Sequence, residues 1–174
     1  MGIVMELTKA RREIVKLTKE KEILLTEMAD LTRQLLKATV PPPPPVTRRT
    51  ISGNEMYNLL RLAFPEATEI YISDQWFNLC DIEDIELFLD VDETNHYQFV
   101  KEDYDCDKFA RRLWGQFAIP GWADKAICLV WTDLHALIMC VDANEDIWFL
   151  EPQTDERRSD LLEWQGTEIR FIVT

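Results

Sequence analysis

The sequence predicts an α+β domain, helices first and an antiparallel sheet afterwards, preceded by an N-terminal coiled-coil helix. Three observations predict it. Apolar or small residues recur in strict 3-4 spacing between residues 3 and 38. Five consecutive prolines follow, Pro41 to Pro45. Beyond residue 51 the apolar pattern passes from helical to alternating. These features divide the chain into a coiled-coil helix at 1–40, a proline-rich linker at 41–50 and an α+β domain at 51–174.

The first helix is read from Ile3, Leu7, Ala10, Ile14 and Leu17, then Leu24, Met28, Leu31, Leu35 and Ala38, with no internal Gly or Pro. Lys21 fills the one charged seam position. Such a narrow stripe over five heptads serves association between helices, so self-association through residues 1–40 is expected, as dimer or trimer. The prolines adopt polyproline II and form a stiff spacer of ~15 Å.

The domain opens with the capping box Ser52-Gly53-Asn54-Glu55, followed by a helical face of Met56, Leu59, Leu60 and Ala63 that ends before Pro65. Glu69 to Ser73 alternates like a short strand. Asp81 is placed to cap a helix carrying Ile82, Ile85, Leu87, Phe88 and Leu89. Asp103 or Asp105 caps the next, whose apolar face is Cys106, Phe109, Ala110, Leu113 and Phe117. Strands are expected at Ala126–Trp131, His135–Asp142, Asp146–Leu150 and Glu168–Val173.

The bulk numbers limit the function classes. The chain has 174 residues and a net charge of −13, with +2 on residues 1–40 and −15 on residues 41–174. Broad nucleic-acid binding is unexpected at this charge. No run approaches the ~20 apolar residues of a membrane span. No secretory signal opens the chain, so a cytoplasmic or virion-associated location is expected. Cys80, Cys106, Cys128 and Cys140 form no Cys-x-x-Cys pair or compact zinc spacing. P-loop, dinucleotide and Gly-x-Ser-x-Gly motifs are absent.

Chemistry is concentrated around Cys106. It opens a predicted helix, where the dipole and unpaired N–H groups stabilise a thiolate. His135 begins a later strand and Glu151-Pro152-Gln153 ends the next. If Asp142 faces Asp146 across the turn, His135 lies opposite Gln153 and Leu137 opposite Glu151; a slip by one at the turn brings Pro152 opposite His135 instead. In the unslipped register the three polar side chains share one face, and Glu151 can orient the imidazole. A cysteine, a strand histidine and a polar orienting residue, in that order, follow the chain order of papain-like peptidases.

Plainer roles exist for each residue. Cys106 also suits a buried, inert thiol, His135 a strand-edge histidine and Glu151 a surface carboxylate. Gln98, with Gln75 as competitor, is a candidate oxyanion donor together with the Cys106 N–H. His96 is read as a loop residue. Trp122 and Trp164 follow loop signals and are candidates for cleft walls, the other tryptophans for core.

Three spaced motifs carry a family resemblance: Tyr104-Asp105-Cys106-Asp107-x-Phe109-Ala110, Val130-Trp131-Thr132-Asp133-x-His135-Ala136 and Trp148-Phe149-x-Glu151-Pro152-Gln153. Residues 51–174 resemble the papain-like domain at the C-terminus of fungal agglutinins of the Marasmius oreades type. Stand-alone phage domains labelled lectin-like are similar. The resemblance implies a papain-like fold with Cys106 as nucleophile, His135 as base and Glu151 as orienting residue, and a protein substrate. Gln153 is a further orienting candidate. The resemblance also implies calcium dependence, which draws attention to Asp105 and Asp107 as metal ligands. The chain lacks a β-trefoil carbohydrate module and has a coiled coil and proline spacer instead. Three functions are therefore weighed: a cysteine peptidase on an oligomeric stalk, a non-catalytic structural or adhesion module, for example of a phage particle, using the same fold, and, third, a calcium-dependent binding head.

Overall fold

The computed structural model describes residues 13–28 and 42–174. The chain divides into two compact units, Met1–Pro41 and Pro42–Thr174. In the first unit, residues 13–28 are helical (α1) and solvent-exposed. Ile14, Leu17 and Leu24 of the 3-4 stripe are 63%, 58% and 59% exposed. The rest of the expected coiled coil, 1–12 and 29–40, lies outside the described residues. Among the described residues no helix is long and apolar enough to cross a membrane.

The second unit contains β1 (Arg49–Ser52), α2 (Gly53–Ala63), β2 (Glu69–Tyr71), β3 (Trp76–Leu79), α3 (Ile82–Leu89) and α4 (Cys106–Gln116). These are followed by β4 (Ile127–Thr132), β5 (Ala136–Val141), β6 (Ile147–Leu150), β7 (Arg157–Arg158) and β8 (Ile169–Val173). Short 3-10 turns lie at Thr94–His96 and Glu163–Gln165. The α+β class is as the sequence predicts. Helix α2 begins at the expected capping box: Ser52 is the N-cap, its side chain accepts from the Glu55 N–H, and Glu55 reaches back to the Ser52 N–H. Its capping carboxylate is held below its usual pKa by those Ser52 hydrogen bonds.

A six-stranded sheet in the order β2-β8-β4-β5-β6-β7 forms the central layer. One of its pairings departs from the expected antiparallel sheet, because β2 runs parallel to β8. A separate two-stranded sheet joins β1 to β3, neither of which the sequence pattern revealed. Side-chain alternation sends the two faces of the central sheet into different cores. Cys128, Val130, Leu137, Met139 and Val141 meet Met56 and Leu60 of α2, with Phe77 and Leu79. Ile127, Leu129, Ala136, Ile138 and Cys140 meet Ile85 and Phe88 of α3 and Ala110 and Leu113 of α4. Each fully buried aliphatic side chain here contributes about 1.5–3 kcal/mol.

The linker differs from the free strut the prolines imply. Over residues 42–50 it is held on the domain. The Trp122 indole N–H donates to the Pro42 carbonyl at 3.2 Å, Lys125 Nζ donates to Thr47 Oγ1 at 3.3 Å, and Arg48 pairs with Asp81 at 2.7 Å. Pro44 lies over Gly121, whose φ is +84°; a Cβ there would stand 2.5 Å from the proline ring, so only glycine permits the approach. Trp122 is accordingly a core residue rather than an exposed wall. It is 2% exposed, in a ring cluster with Phe88 and Phe117.

Candidate functional site

The β4–β5 hairpin positions His135. Thr132 closes it: its N–H donates to the His135 carbonyl at 2.9 Å, and its Oγ1 accepts from the N–H groups of His135 (2.8 Å) and Leu134 (3.1 Å). Asp133 ties the hairpin to the segment before β8, its Oδ1 accepting from the Thr167 and Glu168 N–H groups. The hairpin register of β5 and β6 is the one expected from the Asp142–Asp146 turn, with Met139 opposite Phe149 and Val141 opposite Ile147. It brings the start of β5 beside the end of β6, where Glu151 stands.

There the His135 Nε2–H donates to Glu151 Oε2 at 2.9 Å, with the side chains 7% and 4% exposed. Gln165 Nε2 donates to the same oxygen, also at 2.9 Å. Gln153 approaches Oε1 with both its backbone N–H and its side-chain amide at 3.4 Å. Burial alone would push the Glu151 carboxyl up. The hydrogen bond and charge of His135, with the Gln165 and Gln153 donors, outweigh it and hold the group below the usual carboxylate range. An ionised carboxylate only accepts, so the imidazole proton facing it sits on Nε2. In the neutral ring Nδ1 is then the basic nitrogen, and it makes no hydrogen bond among the described residues. The Trp164 ring, 55% exposed, stands edge-on to the imidazole with centroids 5.0 Å apart.

Cys106 is the first residue of α4, after the N-cap Asp105. It is half-buried against the core that includes Ala136 and Leu150, the chain neighbours of His135 and Glu151. Its thiol makes no hydrogen bond to the imidazole. Cys80, Cys128 and Cys140 are buried; burial pushes the Cys80 thiol up to about 12 and raises the other two as well.

The remaining candidates are placed as follows. Asp105 and Asp107 share Lys108, whose Nζ is 2.9 Å from a carboxylate oxygen of each, and Arg111 holds the other Asp107 oxygen at 2.7 Å. Hydrogen bonding with Asp107 and Lys108 holds the Asp105 carboxyl low and the Lys108 ammonium high. An ammonium between the two carboxylates does not suit a calcium site. Among the described residues no group of three or more His, Cys, Asp or Glu side chains is arranged to hold a metal ion. Gln98 and Gln75 are exposed, and neither bonds Cys106, His135 or Glu151. His96 is exposed on its 3-10 turn. Sequence reasoning missed Gln165; its one local signal was the neighbouring Trp164-x-Gly166 loop pattern.

No family model and no curated protein matches the sequence. Solved structures do match it in fold. A PSL1a–E64 complex superposes with a TM-score of 0.62 at 19% identity, covering 72% of this chain and 50% of that chain. The Polyporus squamosus lectin bound to the human-type influenza-binding epitope Neu5Aca2-6Galb1-4GlcNAc superposes with a TM-score of 0.58 at 18% identity, covering 72% and 49%. The chain thus spans about half the length of these matched chains. At such identity the likeness concerns the fold alone: the α+β unit has a lectin-related fold.

Proposed function

We propose that residues 51–174 form a papain-like thiol hydrolase domain in which Cys106 is the nucleophile, His135 the base and Glu151 the orienting carboxylate. The observation that carries this reading is the buried His135–Glu151 hydrogen bond at 2.9 Å, which leaves Nδ1 as the basic nitrogen; Cys106, at a helix start, packs on the core cluster that holds Ala136 and Leu150, the chain neighbours of that pair. In the proposed reaction His135 Nδ1 takes the thiol proton and the sulfur bonds to a peptide carbonyl carbon. The protonated imidazole gives its proton to the leaving amine as the C–N bond breaks. Water, deprotonated by His135, then opens the thioester, releasing a carboxylic acid and restoring the thiol. The Cys106 N–H is one oxyanion donor, and Gln98, with its free amide, is the proposed second. Contacts between thiol and imidazole tighten on substrate binding in such sites.

E64, the compound complexed with PSL1a, is an epoxide that alkylates activated thiolates. Incubating the full chain with E64 and measuring intact mass tests the reading. A gain of one E64, absent in Cys106→Ala and greatly slowed in His135→Ala, supports it. No gain at millimolar reagent over a day rejects it.

A second reading is a non-catalytic adhesion module, for example on a phage particle. The comparisons lean towards it, since one matched structure is a lectin holding a sialylated trisaccharide. The exposed α1 stripe suits a stalk that self-associates as dimer or trimer. This reading predicts glycan binding that survives Cys106→Ala.

A further inference from the structure

Gln165 is a buried polar residue outside the proposed triad, 2% exposed. Both polar atoms of its side chain are bonded. Nε2 donates to Glu151 Oε2 at 2.9 Å, and Oε1 accepts from the Leu162 N–H at 2.9 Å. Its backbone carbonyl accepts from Thr132 Oγ1, the same hydroxyl that accepts from the His135 N–H. The bonds close a ring that runs from the imidazole through Glu151 to the Gln165 amide, and from the Gln165 carbonyl through Thr132 to the His135 backbone. The imidazole and the carboxylate it meets are thus fixed from one residue.

The neighbouring glycine makes this possible. Gly166 has φ +95°, and a Cβ there would fall 2.4 Å from Asp133 Oδ1 and 2.6 Å from Thr132 Oγ1. The chain can pass this close to the β4–β5 hairpin only without a side chain. The approach delivers the Gln165 carbonyl to Thr132 and its amide to Glu151.

We propose that Gln165 is a positioning residue that, through its amide bond to Glu151 Oε2, fixes the carboxylate in line with His135. This rests on the hydrolase reading for its role in turnover, but the geometry it sets is measurable without turnover. Glu151 has two oxygens and could otherwise rotate or take the imidazole off axis. An N–H donor on the same oxygen as His135 holds that oxygen in place and keeps the carboxyl ionised. Loss of a hydrogen bond to a charged group is typically felt as a change of about 10–100-fold.

The test uses the full chain with two near-isosteric substitutions. Gln165→Met removes both the donor to Glu151 and the acceptor of the Leu162 N–H while keeping the volume; Gln165→Glu keeps that acceptor and replaces the donor by an acceptor. With only two histidines in the chain, NMR of a His96→Gln background reads the His135 ring alone. Two quantities are measured across pH: the His135 ring titration and the rate of Cys106 alkylation by iodoacetamide. Gln165→Met is expected to shift the His135 ring titration and slow alkylation near neutral pH by about tenfold. Gln165→Glu is expected to move the acid limb of the alkylation profile to higher pH, because two facing carboxylates share a proton.

Unchanged midpoints and rates in both variants overturn the proposal, as does an equal loss at every pH, which a merely structural role produces. If Gln165→Met does not fold, Gln165→Glu alone decides by the direction of its acid limb. A wild type with an unreactive Cys106, but a His135 titration that moves in Gln165→Met, removes the hydrolase reading and keeps the positioning role. A reactive wild type with neither variant altered keeps the hydrolase reading and removes the positioning role.

Discussion

Glu151 accepts from both His135 and Gln165 on one oxygen, Oε2, at 2.9 Å each. Around it the domain buries a charge that is paid for by four donor contacts, and the carboxyl is held below its usual range. A carboxylate with a depressed folded-state pKa contributes stability above its unfolded pKa and loses it as pH falls through the folded value. Removing it leaves His135 and Gln165 buried without their acceptor. Glu151→Ala is expected to cost about 3 kcal/mol near neutral pH, by urea unfolding. The deficit should shrink in acid, where the wild type also loses the ionised group. A constant deficit across pH contradicts this assignment.

Asp155 behaves in the opposite sense. Burial pushes its carboxyl up to about 6; Asp92 and Asp90 add to this, while His96 and the Asn95 hydrogen bond oppose it. The wild type therefore loses stability as pH rises between the usual carboxylate value and about 6, and keeps that penalty above it. Asp155 has φ +58°, a conformation asparagine tolerates well. Asp155→Asn should stabilise the domain by about 1 kcal/mol at pH 7–8, less than the titration shift implies because the carboxyl is partly solvated. The gain should vanish below about pH 4. Thermal melts of both proteins across pH show whether it does.

Thiol labelling should be selective. Cys80, Cys128 and Cys140 are buried with raised pKa values, whereas Cys106 is half-buried. Peptide mapping after brief exposure to a small alkylating reagent is expected to find the label on Cys106 alone under native conditions and on all four after denaturation. Native labelling of Cys128 or Cys140 would mean that the sheet is more open than described.

Ile14, Leu17 and Leu24 lie exposed on α1, and the proposed stalk would cover them by self-association. Light scattering of the full chain is expected to give a dimer or trimer, and Leu24→Glu to shift it towards monomer, since a seam charge opposes helix pairing. A monomer in both proteins removes the stalk from the account.

The sequence made local features legible and hid distant ones. The Ser52 capping box and the Asp142–Asp146 turn are written in adjacent residues; of the two registers the turn leaves open, the structure has the unslipped one, which brings His135 near Glu151. The parallel pairing of β2 with β8 joins segments about a hundred residues apart and leaves no local mark. Strand β3 was hidden because its four residues, Trp76 to Leu79, are too few to show alternation. Trp122 follows a Pro-Gly turn that reads as surface, yet Pro42 and Pro44 cover that region, a contact no periodicity reveals. Gln165 escaped for the same reason: its meaning lies in an oxygen fourteen residues away in sequence.

The most direct test of the central claim is the rate of Cys106 alkylation by iodoacetamide from about pH 5 to 9, in the wild type, Cys106→Ala and His135→Ala. Rapid alkylation is expected already at pH 6–7, abolished in Cys106→Ala and slowed at least tenfold in His135→Ala. A slow rate that rises only above about pH 8, unchanged by His135→Ala, would contradict it and leave the adhesion module as the reading of this domain.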